Sequence, residues 1–225
     1  MVSYAKQTID AANPVVRYAH RNRLRRSLNL ALPRLGEGKL LDYGCGSGTF
    51  IAEVLARNPG RAVGYEPFMT ERSKSDLPIC VSVEEVENSG PYSVVTLFET
   101  IEHLTPAELE GFTNLCGRIL PHGGGVLISA PIEIGPAILL KELNRSGWGR
   151  HRNEHRPLEF LKASLLGIAA RRAENVKISH RGFDFRRARA TLRELGWSTE
   201  ILEYGPLPML GWYGNSQVYL WAQQR

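Results

Sequence analysis

Leu40-Leu41-Asp42-Tyr43-Gly44-Cys45-Gly46-Ser47-Gly48-Thr49-Phe50 is the stretch that decides the fold. An apolar run ends in an aspartate, three glycines follow at alternate positions, and residues suited to open a helix come next. This is the pattern of a strand feeding a glycine turn into a helix, where backbone comes close to a ligand because no Cβ intervenes. The dinucleotide fingerprint spaces its glycines as G-x-G-x-x-G. Here Thr49 stands where the last of those would be, which weighs against a pyrophosphate ligand. Asp42, just before the turn, favours a ligand end carrying positive charge, such as an amino group. Glu66 closes the next apolar run, 22 residues after Gly44. A carboxylate at that edge of a sheet accepts both hydroxyls of a ribose. Loop and carboxylate together point to a nucleoside ligand.

Outward from this stretch, Pro14 to Leu35 reads as a basic helix closed by Gly36, so that residues 1–36 form an N-terminal basic element. Strands are expected near 39–43, 61–66, 79–83, 93–98, 126–130, 197–203 and 216–222. Helices are expected over 49–57, 105–120, 158–171 and 184–195. Thr105-Pro106-Ala107-Glu108 opens one of them as a capping box with proline at its first position, and Asp184 is suited to cap the last. Strands that alternate with helices and read as continuous apolar runs belong to a sheet buried on both faces. Residues 132–180 break the rhythm with an apolar stretch (Ile138, Leu139, Leu140, Leu143), a loop from Gly147 to Arg156 carrying Trp148, His151 and His155, and a further helix. A segment of that length between strands is expected to be a lid or insert over a site. No repeat or linker divides the 225 residues, so a single domain is expected.

No apolar run approaches the roughly 20 residues needed to span a bilayer, and Met1 to Asn13 lacks the apolar core of a secretory signal. Cys45, Cys80 and Cys116 have no metal-ligand spacing, which fits free thiols in a reducing cytoplasm. The net charge of +5 conceals a split: residues 36–131 carry −7 and residues 132–193 carry +8. The basic segments suit an anionic partner, although solvated helix faces give the same counts. The apolar stretch around Ile138 to Leu143, beside basic residues, leaves peripheral contact with a membrane surface open.

These motifs resemble those of the class I S-adenosylmethionine-dependent methyltransferases. Leu41 to Gly48 is similar to that family's first motif and Gly64-Tyr65-Glu66 to its ribose-binding segment. Ser93 to Glu99 resembles the strand whose end flanks the cofactor, and Leu120-Pro121-His122-Gly123-Gly124 resembles its "L-x-P-G-G" turn with a histidine added. The resemblance implies a Rossmann-like α/β fold: a seven-stranded mixed sheet with helices on both faces, an antiparallel strand at its end and a helical insert after strand 5. It implies S-adenosylmethionine as cofactor. Asp42, Tyr43, Gly44, Cys45 and Gly46 would line its methionine end and Glu66 would hold its ribose. Pro67 and Phe68 would lie beside ribose and adenine, Ser82 and Val83 would border the adenine edge, and Phe98 and Glu99 would sit near the sulfonium.

Glu99-Thr100-Ile101-Glu102-His103 follows a strand end and resembles the E-x-x-E-H run of ubiquinone-pathway O-methyltransferases and small-RNA 3′-end methyltransferases, where it is associated with metal binding. Three readings stand. Glu99 contacts the cofactor while Glu102 favours a helix start and His103 packs beneath the lid; Glu99, Glu102 and His103 hold a divalent cation; or His103 is the general base, with Glu99 beside it. Arg150-His151-Arg152-Asn153-Glu154-His155 is similar to a second run of the RNA enzymes, with different spacing. The expected acceptor is a small or lipid-linked metabolite methylated at oxygen, with an RNA strand end or a non-catalytic binding module as alternatives.

Overall fold

The structure, a computed structural model, describes residues 14–69, 76–139, 157–172 and 180–225. The loop from Gly147 to Arg156, with Trp148, His151 and His155, and the apolar positions Leu140 and Leu143 lie outside the described residues.

The elements, in chain order, are α1 (Pro14–Ala31), a 3-10 turn (Leu32–Arg34), β1 (Lys39–Tyr43), α2 (Thr49–Arg57), β2 (Ala62–Tyr65), β3 (Ile79–Cys80), α3 (Val83–Ser89), β4 (Tyr92–Phe98), a 3-10 turn (Ile101–His103), α4 (Pro106–Ile119), β5 (Gly125–Pro131), α5 (Pro157–Leu166), α6 (Phe185–Glu194), β6 (Trp197–Gly205), a 3-10 turn (Pro208–Leu210) and β7 (Gln217–Gln224). The strands form one seven-stranded sheet in the order β3-β2-β1-β4-β5-β7-β6. β1 runs parallel to β2 and β4, and β2 parallel to β3, whereas β6 and β7 are antiparallel. The mixed sheet expected from the motifs is therefore present, with its antiparallel pair at one end. All four residues of β2 and all seven of β5 are buried. Successive strand residues point to opposite faces, so burial without alternation means that both faces are covered.

By contact the chain divides into two compact units, Met1–Phe98 with Leu115–Leu127 and Glu99–Asn114 with Ile128–Arg225. In the first, Leu40 and Leu41 of β1, Val94, Val95 and Leu97 of β4, and Ile51 and Val54 of α2 are fully buried. In the second, Ile132, Ile134, Phe185 and Tyr219 fill the interior.

Three elements differ from the sequence reading: β3, α3 and α5. The expected strand over 79–83 ends at Cys80, because Ser82 caps α3: its hydroxyl accepts from Glu85 N at 3.2 Å while Glu85 Oε2 accepts from Val81 N at 2.8 Å. That is a capping-box arrangement, shifted one residue on its return bond. The helix expected over 158–171 stops at Leu166. Gly167 adopts φ +63°, and a Cβ there would lie 2.6 Å from the Trp212 indole. Past this glycine the chain leaves the helix, and Ile168 N donates to Lys162 O at 3.2 Å. The capping box at Thr105 forms as read: Glu108 N donates to Thr105 Oγ1 at 3.2 Å, and Thr105 N to Glu108 Oε2 at 2.9 Å. Asp184 caps α6 by accepting from Arg186 N at 3.0 Å.

Candidate active site

β1 delivers its chain to the glycine turn, and the turn is fastened to β2. Gly44 N and Cys45 N both donate to Tyr65 O, at 2.8 and 3.2 Å. Gly44 and Gly46 hold φ at +76° and +55°, a left-handed backbone that costs an L side chain strain. At Gly46 a Cβ would meet no atom within 4 Å. Glycine there serves backbone geometry and open approach, not tight packing. Glu66, at the end of β2, turns back over the loop. Its Oε2 accepts from Gly46 N at 3.0 Å and its Oε1 from Phe68 N at 3.3 Å. The carboxylate proposed for a ribose is thus oriented by two backbone amides. Phe68 projects into solvent with 78% of its surface exposed, beside the exposed Pro67. Val83 is also exposed, and Ser82 spends its hydroxyl as the α3 cap.

Asp42 is buried, and Oδ1 accepts from Thr96 Oγ1 at 2.7 Å. Desolvation raises its pKa from 3.8 to about 7. The Thr96 hydrogen bond works against the rise and the Glu66 charge adds to it. A carboxylate poised near neutrality accepts a cationic ligand group by giving up its own proton. Burial, then the charges of Asp42 and Glu66, push the Cys45 thiol up, so it stays protonated and is no nucleophile at neutral pH. Tyr43 packs on Tyr65 with ring centroids 4.8 Å apart. Phe98 meets Phe50 edge-on at 4.9 Å.

In the second unit Glu99 carries φ +49°, the one non-glycine positive φ among the described residues. Its conformation is held from both ends. Glu99 N donates to Ser129 O at 3.1 Å, and Glu99 Oε1 accepts from Ser129 Oγ at 3.2 Å and from Gln217 Nε2 at 2.9 Å. Strain fixed in this way concentrates at functional positions. Three residues on, Glu102 is fully buried instead of marking an exposed helix start. His103 Nε2 lies 3.9 Å from Glu102 Oε1, and His180 Nδ1 lies 3.5 Å from the same oxygen. The two imidazoles meet edge-to-face at 4.9 Å.

Glu102, His103 and His180 therefore present three donor atoms within 4.8 Å of one another. Glu99 is not part of that group. His180 reaches it through Arg172, whose guanidinium donates to the Glu102 carbonyl and, at 3.4 Å, to Arg181 O, while lying 5.6 Å over the Phe183 ring. Gly182 lets the turn close tightly: a Cβ there would sit 2.6 Å from Ala170 O. Neither His180 nor Arg172 is among the residues singled out from the sequence. A histidine 77 positions downstream of its partner carries no local signal.

A family model described as a methyltransferase domain matches residues 16–172. The ubiquinone biosynthesis O-methyltransferase of Escherichia coli O9:H4 (strain HS) is 29% identical over 144 residues, 57% of this chain and 59% of that protein. The enzyme of the same name from Rhodopseudomonas palustris (strain HaA2) is 29% identical over 101 residues, 40% of this chain and 39% of that one. The match thus spans less than two thirds of either relative's length. A crystal structure of a SAM-dependent methyltransferase from Archaeoglobus fulgidus superposes with a TM-score of 0.55 at 16% identity, covering 91% of this chain and 94% of that one. At such identity the likeness is one of fold.

Proposed function

From the premise that this chain belongs to the class I S-adenosylmethionine-dependent methyltransferases, we propose that it moves the cofactor's methyl group to an oxygen of a small or lipid-linked metabolite. Asp42 and Tyr43 at the end of β1, with Gly44, Cys45 and Gly46 in the turn that follows, hold the methionine end. Glu66 takes the ribose hydroxyls, and Pro67, Phe68, Ser82 and Val83 border the adenine. Phe98 and Glu99, consecutive at the end of β4, stand by the sulfonium.

The observation that favours an oxygen acceptor is the Glu102–His103–His180 cluster. A hydroxyl is a poor nucleophile until its proton leaves. His103, with a buried carboxylate beside it, is built to accept that proton. The oxygen's electron pair then forms the new bond to the methyl carbon, the sulfur–methyl bond breaks, and its electrons return to sulfur as the neutral thioether. Alignment supplies most of the rest, since the sulfonium is already activated.

A second reading of the same cluster is a divalent cation held by Glu102, His103 and His180, favoured by the convergence of their donor atoms. One carboxylate with two imidazoles suits Mn²⁺, Fe²⁺ or Zn²⁺ better than Mg²⁺. His103→Ala separates these from a packing role. It should lower kcat by roughly 10²–10⁴ while leaving the dissociation constant for S-adenosylmethionine unchanged. Retention of activity in chelator then assigns His103 as the base, and loss restored by added metal assigns the cation. Near-normal turnover of the variant would remove His103 from the chemistry.

A further inference from the structure

Helix α5 is built inside out. Its small residues Ala163 and Ser164 are buried, whereas Leu158, Leu161, Leu165 and Leu166 face solvent with Lys162 among them. At 3.6 residues per turn these five positions share one face. Burying leucine is worth roughly 1.5–3 kcal/mol over leaving it exposed, so a helix serving only the interior would place them inward. Ile168, just beyond the helix, is also exposed.

A second apolar element adjoins this face. Residues 205–214 read Gly-Pro-Leu-Pro-Met-Leu-Gly-Trp-Tyr-Gly, without a charge. Leu207 and Leu210 are exposed, and Met209 is 99% exposed. The two elements are joined: Tyr213 Oη donates to Leu165 O at 3.3 Å, and Trp212 packs on Gly167. The projection is also held in place. The buried Asn215 accepts from Leu207 N at 2.5 Å and donates to Leu207 O and Gly211 O, both at 2.6 Å.

We infer that α5 and the 205–214 loop form a peripheral docking surface for an anionic phospholipid bilayer. Three features favour that occupant. Among the described residues of α5 and the 205–214 loop, Lys162 is exposed amid the leucines and no acid is exposed, while Glu159 is paired with Arg181. Leucine and methionine flanked by lysine, with Trp212 and Tyr213 beside them, is the composition of an interfacial element. Met209, in the 3-10 turn Pro208–Leu210, is 99% exposed, an apolar side chain that a deformable lipid surface can take up. Two copies of this chain meeting across a twofold axis on this face would bring Lys162 towards its own mate, a like-charge contact. No helix among the described residues is long and apolar enough to cross a membrane, so the contact is with the surface.

Flotation of the full chain with vesicles tests this. Binding to phosphatidylcholine vesicles containing phosphatidylglycerol is expected, with little to phosphatidylcholine alone, and it should weaken as salt rises. The double variant Met209→Asp, Leu210→Asp should lower the bound fraction by about tenfold or more, and Lys162→Glu should lower it as well. Both variants should bind S-adenosylmethionine as the wild type does, which shows an intact fold and keeps this outcome separate from the methyltransferase reading. Undiminished flotation of the double variant, or no flotation of the wild type, overturns the inference. So does a concentration-dependent dimer in sedimentation equilibrium that the double variant abolishes, since the patch would then be an interface between copies.

Discussion

Asp42 shows how burial and one hydrogen bond set the protonation of a carboxylate. In the folded protein its pKa stands at about 7 against an ordinary 3.8, chiefly through desolvation. Between those values the folded state holds a proton that the unfolded chain has released. Stability from this group therefore falls as pH rises through that window. Asp42→Asn should unfold at a higher temperature than the wild type at pH 8, with the gap closing towards pH 4; thermal denaturation across pH measures it. If Asp42 meets the cofactor's amino group, wild-type affinity for S-adenosylmethionine should rise as pH passes through 7, and the variant should lose that dependence. Titration calorimetry at several pH values distinguishes the two curves. Asp42 itself was legible in the sequence as a charge before a glycine turn. Thr96, the hydroxyl that orients it, was not, because its significance lies in the pairing of β1 with β4, where Asp42 and Thr96 are in register.

Local elements were the most legible part of the chain. The glycine turn, the Thr105 capping box and the Asp184 cap declare themselves within a few residues, since the bonds that make them are local. The α3 helix was missed although Ser82-x-x-Glu85 carries a capping signal; the apolar residues around it gave a stronger impression of strand. α5 was placed correctly at its start and overrun at its end, because the reason Gly167 stops it is Trp212, 45 positions away. Gly64 shows the same non-local logic inside β2. A Cβ there would lie 2.3 Å from Ile51 Cδ1 and 2.6 Å from Cys45 Sγ, so strand, turn and α2 fit together only around glycine. Gly64→Ala should destabilise the protein by about 1–3 kcal/mol, the usual cost of overpacking, and chemical denaturation would read it. A midpoint equal to the wild type's would mean that the turn gives way without cost.

At the scale of the molecule, the sequence held the order of strands and helices, and the sheet assembles them as the resemblance implied. What it did not hold was the meeting of distant side chains: Glu102 and His103 with His180, or α5 with the 205–214 loop. The first unit carries the glycine turn and Glu66, and the second carries the histidine cluster and the exposed apolar face. The glycine turn and Glu66, read as a nucleoside site, are central to the proposed activity. Calorimetric titration of S-adenosylmethionine into the wild type and into Glu66→Ala tests that directly. Saturable one-to-one binding by the wild type is predicted, with an affinity loss of roughly tenfold to a hundredfold in the variant, as expected for charge-assisted hydrogen bonds worth about 1.5–3 kcal/mol. Equal affinity in a variant that unfolds at the wild-type temperature would contradict the account.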